Sequence, residues 1–261
     1  MPQFQHRRPG SLREAEDLVA AGGTPYCGGT ELLAAMRLGL LAPDTLVDLK
    51  RVAELDGIAE TGDEIALRAR VTHTRASESA LLRRRAPVFA SATSRLGNAR
   101  VRATGTVAGN ICFAEPRSDV LTALMALGAR VELGSAAGER SVPIEEFVEA
   151  GFVTVREPSE LVREIRVRKQ RGPGAYLRFQ PGEYPTVTVA VTSWPGGCRV
   201  VVGAVADRPR GFDFPGLSDV DPTMISERVE VTADLSGAED YKRHLTSVFV
   251  RRAVTAVERA A

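Results

Sequence analysis

The chain has 261 residues and a formal net charge of +1, with 44% hydrophobic and 26% charged residues. These values are typical of a globular protein with a sizeable core, and the near-zero charge argues against the basic field that nucleic-acid binding requires. No apolar run reaches the roughly 18–20 residues of a membrane span, and the N-terminal stretch has no signal-peptide pattern. We therefore expect a cytoplasmic protein that binds neither membranes nor nucleic acids.

The first unit, residues 1–56, is predicted to be a small α/β domain. Ser11 is a predicted N-cap, with Glu14 as its capping-box partner, of a helix that ends near residue 21. The hydrophobic pattern then predicts an extended segment, a second helix and a buried strand, over residues 24–27, 30–39 and 45–49.

The second unit, residues 57–170, mixes strands with helices. Strands are predicted over residues 64–68, 129–133 and 160–168, and helices over residues 87–96 and 119–127. The glycine-rich stretch 103–110 is interpreted as a loop. Arg83, Arg84 and Arg85 are interpreted as the solvated end of a helix, and His73 as a structural or exposed side chain.

The breaker sequence RGPG at residues 171–174 marks a boundary, and residues 174–261 form the third unit. Three strands of an antiparallel sheet are predicted over residues 175–180, 186–194 and 198–206. An amphipathic helix follows near residues 239–259, with its inner face formed by Tyr241, Leu245, Val248, Phe249 and Val257. The predicted fold class is α+β.

The first candidate binding segment is Cys27-Gly28-Gly29-Thr30-Glu31, between a predicted strand and a predicted helix. Glycine lets the backbone approach a ligand closely, and a helix N-terminus offers unpaired N–H groups to an anion. The segment therefore suits the pyrophosphate of a nucleotide-type cofactor. Taken alone, it is also compatible with an ordinary tight turn.

The second candidate segment is Gly105-Thr106-Val107-Ala108-Gly109-Asn110. Threonine and asparagine here supply polar groups between small residues, a composition suited to wrapping phosphate oxygens. The segment matches neither the P-loop nor the Rossmann fingerprint, which argues against nicotinamide binding by that route. Two such segments in one chain favour a cofactor site more than either does alone.

Asp119 is a predicted N-cap of its helix, and its carboxylate can also accept a ribose or ribityl hydroxyl. The sequence has no nucleophile elbow, no zinc-protease motif and no carboxylate pair whose spacing suggests acid/base catalysis. Its three cysteines are too scattered for an iron–sulfur cluster or a zinc site held by this chain alone. We therefore assign no catalytic residue and no metal ligand, and we expect a bound cofactor to carry the chemistry.

With both segments in view, the chain resembles the FAD-binding medium subunit of molybdenum hydroxylases, the xanthine dehydrogenase and aerobic carbon monoxide dehydrogenase family. The family's first flavin segment reads roughly A-G-G-x-[ST/D]-L and precedes L-V-D-L, where this chain has CGGTELLAAM and TLVDL. Its second reads roughly R-x-x-G-T-[IV]-[GA]-G-N and precedes A-x-P-x-x-D, where this chain has VRATGTVAGNICFAEPRSD. The family's C-terminal helix pattern matches residues 241–253, so the similarity runs nearly end to end.

The resemblance implies two small α/β subdomains that form a PCMH-type FAD-binding unit, followed by a C-terminal antiparallel sheet with helices. Residues 27–31 and 106–110 would hold the pyrophosphate and ribityl region of FAD, and Asp119 would take a cofactor hydroxyl. Leu161 would lie near the flavin, and Arg178 would stand where many members have a lysine near the ring. The implied partners are a molybdopterin-binding large subunit and an iron–sulfur small subunit that passes electrons to this FAD.

A second hypothesis is open at this point. A family member that has lost FAD could use the cleft for another small-molecule ligand, as a stand-alone cyclase or isomerase of a secondary metabolite. Arg68 stands where the family has glycine, Arg178 replaces the lysine, and residues 208–231 are short for the family. We expect Arg68 either to pair with the pyrophosphate, which would stabilise bound FAD, or to face solvent, as strand alternation favours. Neither case supports the loss of FAD.

Overall fold

The computed structural model describes residues 2–260, and its first unit is a parallel three-stranded sheet with two helices. The strands are Gln5–Arg7 (β1), Thr24–Tyr26 (β2) and Thr45–Asp48 (β3), and the helices are Leu12–Ala20 (α1) and Leu32–Arg37 (α2). Strand β3 lies between β1 and β2. Ser11 caps α1 as predicted, but the Glu14 carboxylate accepts from the Gly10 amide rather than from that of Ser11.

The second unit is built on a five-stranded antiparallel sheet and a separate hairpin. Its strands are Ile58–Thr61 (β4), Glu64–Arg68 (β5), Arg130–Ser135 (β6), Gly138–Pro143 (β7), Val148–Ala150 (β8), Val153–Thr154 (β9) and Leu161–Arg168 (β10). The sheet order is β4-β5-β10-β6-β7, and β8 pairs with β9. Strands β5, β6 and β10 were predicted, whereas β4 and the hairpin were not.

The second unit also contains seven helices. They are His73–Glu78 (α3), Ala80–Arg85 (α4), Pro87–Arg95 (α5), Ala99–Thr104 (α6), Val107–Phe113 (α7), Asp119–Ala126 (α8) and Ile144–Phe147 (α9). The sequence pattern predicts α5 and α8 well. Arg83, Arg84 and Arg85 are exposed at the end of α4, which confirms their interpretation as the solvated end of a helix. The pattern fails for the other short helices, because one or two turns are too few to show a hydrophobic period.

The C-terminal unit has a four-stranded antiparallel sheet in simple sequential order and two helices. The elements are Gly174–Phe179 (β11), Val187–Trp194 (β12), Gly197–Gly203 (β13), Arg210–Phe214 (β14), Pro222–Arg228 (α10) and Glu239–Glu258 (α11). The placement of Tyr241 on the inner face of α11 is wrong. Its side chain is 44% exposed, whereas the neighbouring Lys242 is 1% exposed and donates from Nζ to the Thr232 carbonyl.

The C-terminal sheet is covered on both faces. On β12, Val187, Val189 and Val191 enter the core formed with α10 and α11. The alternate residues Thr188 and Thr192 bond to α8, through the Thr122 hydroxyl and the Ala126 carbonyl. This alternation holds the third unit against the second.

Candidate functional site

A cavity of about 290 Å³ lies between the first and second units. The first unit contributes residues 24–32 to its walls. The second unit contributes residues from two segments, 106–113 and 156–162. Most of the predicted site residues line it: Cys27, Gly28, Gly29, Thr30, Glu31, Thr106, Ala108, Gly109, Asn110 and Leu161. Both candidate segments therefore face one cavity.

The first segment leaves β2 and turns into α2 through two glycines. Gly29 has φ +71°, and a Cβ on this residue would overlap the Tyr26 ring, so glycine is required there. No hydrogen bond among residues 2–260 uses the backbone N–H of Gly29, Thr30 or Glu31. These donors are available to an anionic ligand in the cavity.

The two segments touch each other at Gly28. A Cβ on Gly28 would overlap the Thr104 carbonyl oxygen and would lie 2.8 Å from Gly105 Cα. On the opposite side, the Thr30 hydroxyl oxygen lies 3.1 Å from the place where a Cβ on Gly105 would stand. The approach requires glycine at position 28, and a Cβ at position 105 would make tight contacts, so the two glycines bring the two sequence motifs into one site.

The second segment is a helix start and not a loop, which corrects the sequence interpretation. Thr106 is the N-cap of α7, and its Oγ1 accepts from the Gly109 amide at 3.0 Å. Val107 donates its N–H to the Val71 carbonyl and buries its side chain in the core, so it does not line the cavity. Gly109 has helical backbone angles, so positive φ is not the reason for this glycine.

Glycine at position 109 is better explained by the room that it leaves beside the Thr106 hydroxyl than by its backbone angles. Within 4 Å, a Cβ on Gly109 would meet only the Thr106 hydroxyl oxygen, at 2.9 Å. We expect Gly109→Val to weaken FAD binding by roughly 10-fold or more, because its side chain takes cavity volume and displaces the Thr106 hydroxyl. Gly109→Ala should lose less affinity, because its single methyl group meets the Thr106 hydroxyl but takes less cavity volume than valine.

Flavin fluorescence titration of both variants, with thermal melts as the folding control, tests the role of Gly109. Full flavin occupancy in Gly109→Val would show that α7 does not contact the cofactor. An affinity loss that scales with side-chain size from alanine to valine is the expected result.

Asp119 lies away from the cavity lining, at the start of α8. The prediction that it caps this helix is wrong: Ser118 is the N-cap, and its hydroxyl accepts from the Leu121 amide. The Asp119 carboxylate accepts instead from the Tyr176 hydroxyl and from Arg178 Nη1, at 3.0 Å from Nη1 to each oxygen. Burial raises the pKa of Asp119, whereas Tyr176 and Arg178 act in the opposite direction. The implied contacts of Asp119 and Arg178 with the cofactor remain predictions.

The cavity holds few activated groups. Burial raises the pKa of the Cys27 thiol, and it raises the pKa of Cys112 to about 11. Both thiols are therefore protonated at neutral pH and are poor nucleophiles. Burial and then the Glu115 carboxylate raise the pKa of Glu31. The one arginine in the lining of the cavity is Arg156, whose Nη1 donates to the carbonyls of Glu157 and Glu160.

Several lining residues were not assigned to the site from the sequence. They include apolar and aromatic wall residues and some polar ones: Pro25, Tyr26, Leu41, Leu49, Phe113, His73, Arg156 and Glu160. His73, interpreted from the sequence as structural or exposed, is buried in the cavity wall. Within residues 2–260, no three His, Cys, Asp or Glu side chains group as metal ligands, and no helix is long and apolar enough to cross a membrane.

Comparison with known proteins agrees with this geometry. The carbon monoxide dehydrogenase medium chain of Afipia carboxidovorans is 28% identical over 276 residues, covering 96% of this chain and 95% of that protein. The glyceraldehyde dehydrogenase medium chain of Sulfolobus acidocaldarius is 26% identical, with 97% of each chain covered. The structure of carbon monoxide dehydrogenase from Hydrogenophaga pseudoflava superimposes with a TM-score of 0.90 at 26% identity, covering 100% of this chain and 99% of that one.

The family profile described as the FAD binding domain in molybdopterin dehydrogenase matches residues 2–169. This match spans more than half of the chain and includes both glycine segments. The resemblance found in the sequence is thereby confirmed, and the chain belongs to the family of FAD-binding domains of molybdopterin dehydrogenases.

Proposed function

We propose that this chain is the FAD-binding electron-transfer subunit of a molybdenum-dependent oxidoreductase, which passes electrons from iron–sulfur clusters to an acceptor. The observation that carries the proposal is the contact of the two glycine segments at Gly28 and Gly105, on the wall of one cavity. Membership of the FAD-binding family supports the identity of the cofactor.

The residues present fit FAD. The uncommitted amides of residues 29–31 and the hydroxyls of Thr30 and Thr106 would hold the pyrophosphate, because phosphate oxygens are hydrogen-bond acceptors. Leu41, Leu49 and Leu161 offer apolar surface suited to planar rings. When bound, FAD supplies the electron-accepting and electron-donating chemistry that these side chains lack.

The proposed partners are a molybdopterin-binding large subunit and an iron–sulfur small subunit. Support comes from the relatives, which are named medium chains and are covered over 95% and 97% of their own length. A further structure that this chain matches is that of a Cu,Mo-containing carbon monoxide dehydrogenase. We place the complex in the cytoplasm, also as a proposal.

Flavin binding and reduction test this function in two steps. The purified chain should be yellow or should take up one FAD per chain. In a complex with both partners, adding substrate without oxygen should reduce that FAD, and its yellow absorption should disappear. A colourless chain with no FAD uptake by calorimetry would contradict the cofactor. A loaded chain that no iron–sulfur partner reduces would contradict the electron-transfer role alone.

The main argument for the cofactor-free alternative was that Arg68 could occupy the cofactor space, and the position of this side chain does not support it. Arg68 is exposed at the end of β5 and donates from Nη1 to the Glu54 carbonyl at 2.8 Å, away from the cavity lining. Neither the site nor the comparisons favour a cyclase or isomerase.

We therefore expect Arg68→Gly to leave FAD affinity unchanged. The variant should lose roughly 1 kcal/mol of unfolding free energy, from one surface hydrogen bond and a glycine in a strand. Calorimetric titration with FAD and a urea melt measure the two quantities. A clear gain of FAD affinity would show that Arg68 reaches into the cofactor space.

A further inference from the structure

Helix α7 forms one wall of the cavity. Its residues line that wall from the Thr106 cap to Phe113, except for Val107 and Ile111, whose side chains enter the core. Thr106, Asn110 and Phe113 share one side of the helix, because residues three and four positions apart lie above one another. Asn110 therefore gives this wall an amide side chain, with one acceptor group and one donor group.

The Asn110 amide is held by the residue that caps the next helix. Ser118 is the N-cap of α8 and is 4% exposed. Its hydroxyl oxygen accepts from the Leu121 amide at 3.4 Å, and the same oxygen lies 2.6 Å from Asn110 Oδ1. Within residues 2–260, the Ser118 hydroxyl makes no other hydrogen bond.

These two contacts fix which end of the amide faces Ser118. A serine hydroxyl has one proton to donate, and because its oxygen accepts at the cap, Asn110 is the partner left for that proton. A separation of 2.6 Å is also usual for an O–H···O bond and short for an N–H···O bond. The oxygen Oδ1 of Asn110 therefore faces Ser118, and the nitrogen Nδ2 is turned away from it.

The nitrogen Nδ2 of Asn110 has no partner in the protein itself. It makes no hydrogen bond within residues 2–260, and it is not among the polar atoms that are both buried and unpaired. The nitrogen therefore has accessible surface, and the residue that carries it lines the cavity. An amide NH2 group donates two hydrogen bonds and accepts none, so it matches the oxygens of a phosphate or of a ribityl chain.

We infer that Ser118 is a positioning residue for the cofactor. Its hydroxyl holds the Asn110 amide with the Nδ2 donors toward the cavity, where they bond to an acceptor oxygen of FAD. The inference rests on the proposed function, since it takes FAD as the ligand. Without the hydroxyl the amide is free to turn over and present Oδ1, which repels a ligand oxygen. Ser118 is not part of the cavity lining, so it acts through Asn110.

A double-mutant cycle on the full, FAD-stripped chain tests the coupling between Ser118 and Asn110. The variants are Ser118→Ala, Asn110→Ala and both together, with Ser118→Thr as the variant that keeps the hydroxyl. The matched control is Ser79→Ala, because Ser79 caps α4 by accepting from the Leu82 amide at 3.3 Å and does not line the cavity. Calorimetric titration with FAD, ADP and riboflavin measures the affinities, and thermal melts measure the effect of losing each cap.

Asn110→Ala should weaken FAD binding by about 10-fold or more, and Ser118→Ala by about 3- to 10-fold, because the amide is then present but no longer held. The double variant should bind no more weakly than Asn110→Ala alone, since Ser118 acts only through that amide. Ser118→Thr and Ser79→Ala should bind FAD like the wild type, although Ser79→Ala and Ser118→Ala should both lower the Tm.

The smaller probes identify the acceptor. A loss of ADP affinity in Asn110→Ala would identify a phosphate oxygen, and a loss of riboflavin affinity alone would identify the ribityl chain. Additive losses in the double variant, or wild-type FAD affinity in Ser118→Ala, would overturn the inference while FAD binding by the wild type stands. A wild-type chain that binds no FAD would instead contradict the proposed function.

Proton–nitrogen NMR of the wild-type chain gives a readout that needs no altered fold. The chain has two asparagines, Asn98 and Asn110, so their side-chain NH2 signals are few. Those of Asn110 should exchange more slowly with water once FAD is bound, whereas those of Asn98, exposed at the cap of α6, should not change. Unchanged exchange at Asn110 with saturating FAD would show that Nδ2 does not bond to the cofactor.

Discussion

A Gly28→Ala chain is expected to bind FAD roughly 10- to 100-fold more weakly than the wild type and to keep its fold. The added methyl group would overlap the Thr104 carbonyl oxygen and press on Gly105 Cα, and both contacts are with backbone atoms that no rotamer change can clear. The two segments must then separate in the free protein. Binding would have to restore their contact against about 1–3 kcal/mol of overpacking.

Flavin titration and thermal unfolding of the apo chain separate the binding effect from a general loss of stability. The matched control is Gly211→Ala on β14, where a Cβ would make only ordinary contacts at 3.8 Å. That variant should bind FAD like the wild type. If Gly28→Ala does the same at full occupancy, the contact between the segments is not needed for the cofactor.

The extended elements of the fold could be predicted because their side chains alternate. On β12, Thr188 and Thr192 bond to α8 while Val187, Val189 and Val191 face α10 and α11, so its sequence shows period two and high β-branched content. Strand β10 alternates in part, with Ile165 and Val167 buried. Strand β14, with glycine and charged residues in RGFDF, gives no such pattern.

The short helices could not be predicted from periodicity. Helix α7 has seven residues and begins with Val-Ala-Gly-Asn, which as composition favours a loop. The deciding contacts are the Thr106 cap and the bond from Val107 to Val71, and the second joins residues far apart in sequence. Thr106, Ala108, Gly109 and Asn110 line the cavity as expected, but Val107 does not, and the segment is the start of a helix rather than a loop.

Pairings between distant charged residues were also outside the reach of one sequence. Asp119 and Arg178 are 59 positions apart, and each was assigned separately to the cofactor. The structure shows that they bond to each other. Only the topology, which lays β11 beside the start of α8, brings the two residues together.

An Asp119→Asn chain is expected to lose about 1–3 kcal/mol of unfolding free energy, because a largely buried arginine loses its counter-ion while the burial cost of the carboxylate, which raises the pKa of Asp119, is relieved. The side chains of Arg178 and Asp119 are 18% and 5% exposed. Asparagine has nearly the same shape as aspartate, so the loss reports charge and hydrogen bonding rather than a cavity. Tyr176→Phe removes only the second donor to this carboxylate and should lose about 1 kcal/mol.

The matched control for Asp119→Asn is Asp213→Asn, since Asp213 also accepts two hydrogen bonds from one arginine, Arg199. That aspartate is 57% exposed, so its replacement should lose no more than about 1 kcal/mol. Urea unfolding of the apo chains measures each loss without the cofactor. Equal losses for the two substitutions would show that burial of the Asp119–Arg178 pair does not matter. A normal stability combined with weakened FAD binding would restore Asp119 to the cofactor-hydroxyl role that the family resemblance implies.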